Sequence, residues 1–460
     1  MNFKKRTRLL TWVCILALIP LMQSCSESSE PEDTDDGYGG GASQDGPNWN
    51  EPITEPNYAT FPQGYSVDNR DSATNQAFHQ ISWQYFLWLT ENVGTEAAPE
   101  LRFETLFNDA SIHPDAEEPK SHTLGGIVQA GSNSILIDDN GRAVYTTMMI
   151  NDIYRDFVQK NNLYTAEGME TVDPNLDFPK GSMSLKAAWK IVGDDDDMTG
   201  YYTKEAELYT VVDVDGQLTT SDNLPNSEDH ETITEKVALV GFHIAVVVKG
   251  HPEFLWITFE NNNNAPSLIN NAISPDQDMT FFDKGSSKAQ CNRSNAGALQ
   301  VNADQTLSLI GSTTPLTTEV LRIHEFGGGK ESNTRNIDSI NTVVQTAQAG
   351  SIWSNYHEVG AVWFDSDESM GMIHPDWSPT VTDTIITGSL TLSNAVIETF
   401  TQDDFDANSC FACHNTSQID LSSGSSLQGS NVLTSHILLQ NYLNEIKASD
   451  EIVVRTDRKK

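Results

Sequence analysis

Basic residues are scarce in this sequence, cysteines are few, and no apolar run is long enough for a lasting membrane span. Its 27 Lys and Arg stand against 65 Asp and Glu, a formal net charge of −38. Such an excess of negative charge repels phosphate backbones and anionic lipid headgroups, which argues against direct binding of nucleic acid or acidic membrane. It suits a basic partner surface instead. No G-x-G-x-x-G, P-loop or G-x-S-x-G is present, and no internal repeat. The dinucleotide, nucleotide and serine-hydrolase classes therefore lack their signatures.

What is present begins with an export signal. Lys4, Lys5, Arg6 and Arg8 precede an apolar stretch from Leu9 to Met22, shorter than the roughly 20 residues of a spanning helix. The stretch ends in Leu21-Met22-Gln23-Ser24-Cys25, which resembles the lipobox of bacterial lipoproteins. The resemblance makes residues 1–24 a removable signal and Cys25 the lipidated first residue of the mature chain, tied to a membrane without crossing it. An ordinary signal peptide with a stray cysteine is the alternative. Removing 1–24 takes four basic and no acidic residues, leaving 65 against 23, or −42. Residues 25–70, acidic, then Gly-rich, then Pro-rich, cannot bury enough apolar area to fold and read as a tether. The acidic patch behind Cys25 also resembles the surface-export signal of Bacteroidetes lipoproteins, so the expected place is the outer membrane, facing the periplasm or the cell surface.

The 460-residue chain as a whole has apolar content for a large folded body, with 9 Trp, 12 Tyr and 18 Phe. Residues 71–393 read as an α+β, mainly antiparallel β body. Asn75 to Glu91 has helical spacing of Phe78, Ile81, Tyr85, Trp88 and Leu89, with His79 a polar-face or satisfied core residue. Ile135 to Tyr145 reads as a hairpin around Asp139-Asn140-Gly141. Leu185 to Val192, Glu207 to Thr219 and Val237 to Glu260 read as strands, the last as two runs joined at Lys249 to Pro252. Alternation puts His243 on one face with Ala245 and Val247, opposite Phe242, Ile244 and Val246. Both faces are apolar, which marks a central strand. Leu321 to His324 and Thr384 to Thr391 read as further strands, Arg335 to Gly350 as a helix, and Ile352 to Asp365 as β structure.

The most specific signal is Cys410-Phe411-Ala412-Cys413-His414. C-x-x-C-H is the attachment signature of a c-type haem. Each thiol can form a thioether to one vinyl group, and the adjacent histidine then supplies the first axial ligand to iron. A redox C-x-x-C or half a zinc site are the alternatives, but no second Cys or Cys/His pair follows at zinc spacing. Cys410 and Cys413 bound to haem and Cys25 to lipid leave Cys291 as a buried thiol without a partner, and no structural disulfide is expected.

Residues 394–460 form the C-terminal haem segment, expected to be helical and packed on the body. Asn394 to Phe400 reads as a short helix, and Val432 to Ile446 as a longer one. Its Val432, His436, Leu439, Leu443 and Ile446 fall on one stripe, so His436 is the expected sixth iron ligand. No methionine follows Met372. Met370 or Met372 upstream, or an open iron, are the alternatives, and His243 and His357 are more remote ones. The segment is too small to enclose a haem alone, so the body is expected to form one wall of the crevice.

Together these residues resemble a family of large bacterial single-haem cytochrome c-like proteins. The likeness rests on the haem motif and on Val240-Gly241-Phe242-His243-Ile244, Trp256-Ile257-Thr258-Phe259-Glu260, Asn264-Ala265-Pro266, Trp353 with Asn355-Tyr356, and Asn394 through Glu398-Thr399. It covers Asn75 to the C-terminus. In that family a histidine follows the Glu of the Trp-x-Thr-Phe-Glu stretch, and here that position is Asn261. The expectation is a membrane-anchored mono-haem c-type cytochrome carrying single electrons outside the cytoplasm to or from a redox partner protein, with the acidic charge favouring a basic one. A haem oxidoreductase of peroxidase or oxidase type, with a pocket between body and haem, is the alternative, as is a surface protein that binds or senses a ligand.

Overall fold

The computed structural model describes residues 75–449, apart from 96, 117–121, 249, 329–330, 366–372, 380–384, 403–408 and 422–423. The signal, Cys25, the tether, Met370 and Met372 lie outside the described residues. All that follows belongs to one compact unit, Pro47–Lys460.

The architecture is α+β and is built on one antiparallel sheet. Its strands are β1 (Phe107–Asn108), β2 (Tyr145–Ile150), β3 (Met183–Ile191), β4 (Thr203–Tyr209), β7 (Thr232–Val248), β8 (His251–Asn261), β13 (Tyr356–Phe364) and β14 (Ile386–Gly388). The spatial order is β1-β2-β3-β7-β8-β13-β14, with β4 also paired to β7. Short two-stranded ribbons decorate it: β5 (Val211–Val214) with β6 (Gln217–Thr220), β9 (Ser267–Ile269) with β10 (Ala272–Ser274), and β11 (Leu299–Val301) with β12 (Leu307–Leu309). The β5–β6 turn places Asp215 and Gly216 at φ 54° and 82°, the paired positive-φ geometry of a tight hairpin.

β7 is the central strand, as its two apolar faces require. The first four helices are α1 (Asn75–Leu89), α2 (Asp152–Lys160), α3 (Ala166–Thr171) and α4 (Glu331–Ala347). On one face Phe242, Ile244 and Val246 join the main core beneath α1 and α4. Phe86 of α1 stacks on Phe259 with ring centres 4.3 Å apart, and Trp83 donates its indole N–H to Asn341 of α4 at 2.9 Å. Helix α1 is buried nearly all round, because sheet and α4 both cover it. His79 is the satisfied core residue, with Glu358 and Asn333 on its two ring nitrogens at 2.8 and 2.9 Å.

The other face of β7 carries His243, Ala245 and Val247. Here Ala245, Val247, Ile150 and Phe254 meet Leu421, Leu427, Val432, Leu438, Tyr442 and Ile446 of the C-terminal segment. Burying each of the larger apolar chains is worth about 1.5–3 kcal/mol, so this contact holds the segment firmly to the sheet.

Three elements differ from the sequence expectation. Asn394 to Phe400 is a chain of bends ending in a single 3-10 turn, Thr399–Thr401. The Asn394 carboxamide takes the N–H groups of Ile397 and Glu398, and Gln129 takes that of Thr399. Side chains thus replace the helical ladder. Leu321 to His324 forms one isolated bridge, Arg322 to Ser267, and no strand. Val432 to Ile446 is broken at Ser435, between a 3-10 turn (Asn431–Thr434) and a separate helix beginning at His436. The Ser435 hydroxyl accepts from Leu438 N–H, the arrangement of an N-cap. The Ile135 to Tyr145 turn forms as expected, with Asp138 accepting from Asn140 and Arg142 N–H, but its arms pair only through the Ile137–Ala143 bridge.

Candidate functional site

Cys410–Cys413 forms a four-residue helix, α5. Cys410 and Cys413 are three apart and so share a face, while Phe411 points the other way. Its ring is fully buried against Phe364 at 4.6 Å and Trp377 at 5.8 Å. After the motif, the Thr416 hydroxyl donates to the His374 carbonyl and accepts from Trp377 N–H, at 2.6 and 2.8 Å. Neither thiol is in a disulfide, and both residues are half-buried. Burial, with Glu398 and Cys413 nearby, pushes the Cys410 thiol above its ordinary range.

The His414 ring lies between two others. Trp256 of β8 stands 4.0 Å away at 33°, and His436 stands 3.7 Å away at 24°. His414 Nδ1 is 2.9 Å from the Thr434 carbonyl, so the Nδ1–H tautomer donates there and leaves Nε2 with its lone pair. A ligating histidine is held in this way by its second nitrogen. Burial, followed by the nearby His436, pushes the His414 imidazole well below its usual range, favouring the neutral form that binds metal. His436 opens helix α6 (His436–Ser449). Its Nε2 is bonded to the Cys413 carbonyl at 3.0 Å, and burial lowers its pKa.

Beneath this lies an incompletely covered strip in the middle of the sheet. Within the run Val237–Val248 of β7, only His243 is half-buried; β2 contributes Met148, β3 Ser184 and Lys186, and β8 Trp256. Register makes these neighbours. Met148 pairs with Lys186 and Lys186 with His243; one step along, Ser184 pairs with Ala245 and Ala245 with Trp256. Central strands of a covered sheet are otherwise closed to solvent, so half-buried side chains here line a crevice. Cys410, Cys413, His414 and His436, each half-buried, form its other side.

The strip is polar. His243 Nε2 lies 3.2 Å from Glu398 Oε2, and its Nδ1 lies 3.3 Å from the Thr258 hydroxyl. Burial would raise the Glu398 carboxyl, but the charges of His243 and Lys186 and hydrogen bonds from His243 and Asn394 hold it below its ordinary value. Burial pushes the Lys186 ammonium down, opposed by Glu398. A buried clip places Glu398 there. Glu260 accepts from Ala395 N–H at 2.6 Å and pairs with Arg322 at 2.8 Å. Gly241 lets Val396 approach β7, and Asn264 donates to the Val240 carbonyl at 2.6 Å.

The structure therefore brings Cys410, Cys413, His414 and His436 together and adds His243. His357 is elsewhere, bonded to Asn262 at 2.9 Å. Lys186 has no motif in the sequence to single it out, although it is a charge within an apolar strand pattern, and Glu398 stands there only as part of the family-like stretch ending in Thr399. Trp256 and Thr258 were readable as sharing one strand face.

These residues fit a c-type haem: two thiols outside any disulfide on one helical face, an imidazole with Nε2 available, and a crevice beside them. One local change is required, since the stacked His414 and His436 rings leave no room for a macrocycle between them. Among the described residues, no group of three or more His, Cys, Asp or Glu side chains could hold a bare metal ion, and no helix is long and apolar enough to cross a membrane. Comparison with family models, with curated proteins and with solved structures finds no match.

Proposed function

We propose that this chain is a mono-haem c-type cytochrome that passes single electrons outside the cytoplasm, tethered to the outer membrane through lipid on Cys25. The observation that carries the reading is the C-x-x-C-H helix set over the crevice, with His414 Nδ1 tied to the Thr434 carbonyl. Cys410 and Cys413 would hold the haem by thioethers, and His414 Nε2 would be its axial ligand. When bound, the haem supplies one-electron redox chemistry. The chain's own residues anchor and orient it. Phe411 fixes the attachment helix, Thr434 sets the His414 tautomer, and Trp256 backs the His414 ring. The sheet supplies the wall that a short C-terminal segment cannot. A strongly acidic surface favours a basic redox partner.

The test is expression of the chain lacking residues 1–24 in a host that attaches haem. One haem of added mass is expected, lost in Cys410→Ser/Cys413→Ser. Failure of the parent to take up haem refutes the assignment. Carbon monoxide added to the reduced protein then addresses the role. Little spectral change is expected for electron transfer through a firmly six-coordinate iron.

A second reading, a haem oxidoreductase, is favoured by one observation: the polar set Lys186, His243 and Glu398 on the crevice wall. An enzyme needs proton-handling groups beside its open iron position. Prompt carbon monoxide binding puts this reading first.

A further inference from the structure

We infer that Lys186 is the binding group for a carboxylate or small oxyanion at the floor of the crevice, an inference that rests on the haem reading above. Two buried cations of the body are paired, whereas Lys186 is half-buried on the crevice wall. Lys190 meets Asp138, Asp139 and Asp196 at 3.5, 2.7 and 2.6 Å, and Arg322 meets Glu260. Lys186 alone of these three makes no hydrogen bond or ion pair among the described residues. The carboxylate that acts on it, Glu398, is already engaged by His243 and Asn394. A half-buried ammonium with no carboxylate of its own on a crevice wall favours an anion bound against it. Lys186 sits beside His243 across the strand pair, on the crevice side of the sheet.

The ligand chemistry is a negatively charged oxygen pair, and it has two sources. One is a propionate of the haem itself. The other is a free anion of formate or nitrite size. The experiment uses the haem-loaded parent, Lys186→Met and Glu398→Gln. Each is titrated with sodium formate while the ferric absorption spectrum is followed, and the propionate bending band is recorded by resonance Raman. A free-anion site gives saturable formate binding in the parent. Lys186→Met weakens it on the order of tenfold or more, the size of a lost charged hydrogen bond, and Glu398→Gln strengthens it. A propionate contact gives no formate response in the parent but a shifted bending band in Lys186→Met. Unchanged formate response and unchanged band in a haem-replete Lys186→Met overturn the inference. If that variant does not fold, Glu398→Gln decides. It leaves Lys186 in place and removes the competing charge, so formate binding or the band must change, and no change in either overturns it. A parent without haem would refute the earlier reading instead, so the two failures are distinguishable.

Discussion

The imidazole of His436 lies flat against that of His414, ring centres 3.7 Å apart and planes 24° from parallel. Two imidazoles that share one iron stand on opposite faces of the macrocycle with their nitrogens directed at each other. Stacked rings do neither, and the His436 Nε2 is bonded to the Cys413 carbonyl. In this arrangement His436 is a packing partner of His414. His436→Ala should therefore leave the carbon monoxide response of the reduced protein unchanged. Prompt carbon monoxide binding that appears only in the variant would show instead that His436 swings out to ligate iron.

The stripe through His436 does not lie on one continuous helix, and the reason is local. A 4-3-4-3 spacing from Val432 assumes one continuous helix, but Ser435 is extended, with φ −90° and ψ 110°. The hydroxyl of Ser435 restarts the helix, and the buried line becomes Leu438, Tyr442 and Ile446, not Leu439 and Leu443. The strands were more legible. Alternation along Phe242 to Val247 alone assigns both faces of β7, and the structure keeps them. The crevice was legible only on one side. Cys410 to His414 is a local spacing, whereas Lys186, His243 and Glu398 come from three distant segments whose meeting depends on register and on the Glu260–Arg322 clip. Asn394 to Phe400 has a helical pattern, yet Asn394 and Gln129 offer its backbone better partners.

Gly241 tests how tightly the Glu398 loop is seated. A Cβ there would lie 2.5 Å from Val396 Cγ2 and 3.2 Å from the Phe259 carbonyl oxygen. Val396 is 1% exposed and has little room to move. Gly241→Ala should cost about 1–3 kcal/mol, the range for overpacking. Urea unfolding of the haem-loaded protein measures it. Adding Val396→Ala should recover part of the loss, a coupling that a merely conformational effect of glycine would not show.

Arg322 and Glu260 are a buried ion pair whose carboxylate also holds Ala395 N–H. Arg322→Met strands that carboxylate in the interior, and breaking one side of such a pair costs about 3–5 kcal/mol. Because the same carboxylate seats the loop that carries Glu398, the variant should also disturb the crevice. The paired measurement is the unfolding midpoint together with the formate and Raman response of the folded fraction. A variant as stable as the parent would mean that the pair contributes no net stability.

Cys291 gives a pH test that also checks the proposed thioethers. Burial, followed by the Glu319 charge, pushes its thiol up to about 11, and the sulfur is 3.4 Å from the Ser287 carbonyl. The thiolate is the reactive form. A raised value keeps the thiol protonated below about 11, so at pH 8 the thiolate is on the order of one in a thousand. Native protein lacking residues 1–25 should resist iodoacetamide at pH 8, and labelling should rise only as pH approaches that value. Unfolding removes the burial and exposes the thiol. If Cys410 and Cys413 are in thioethers, the unfolded chain takes one label. If they are free, it takes three, and mass spectrometry of the denatured, alkylated chain separates the two without reference to colour.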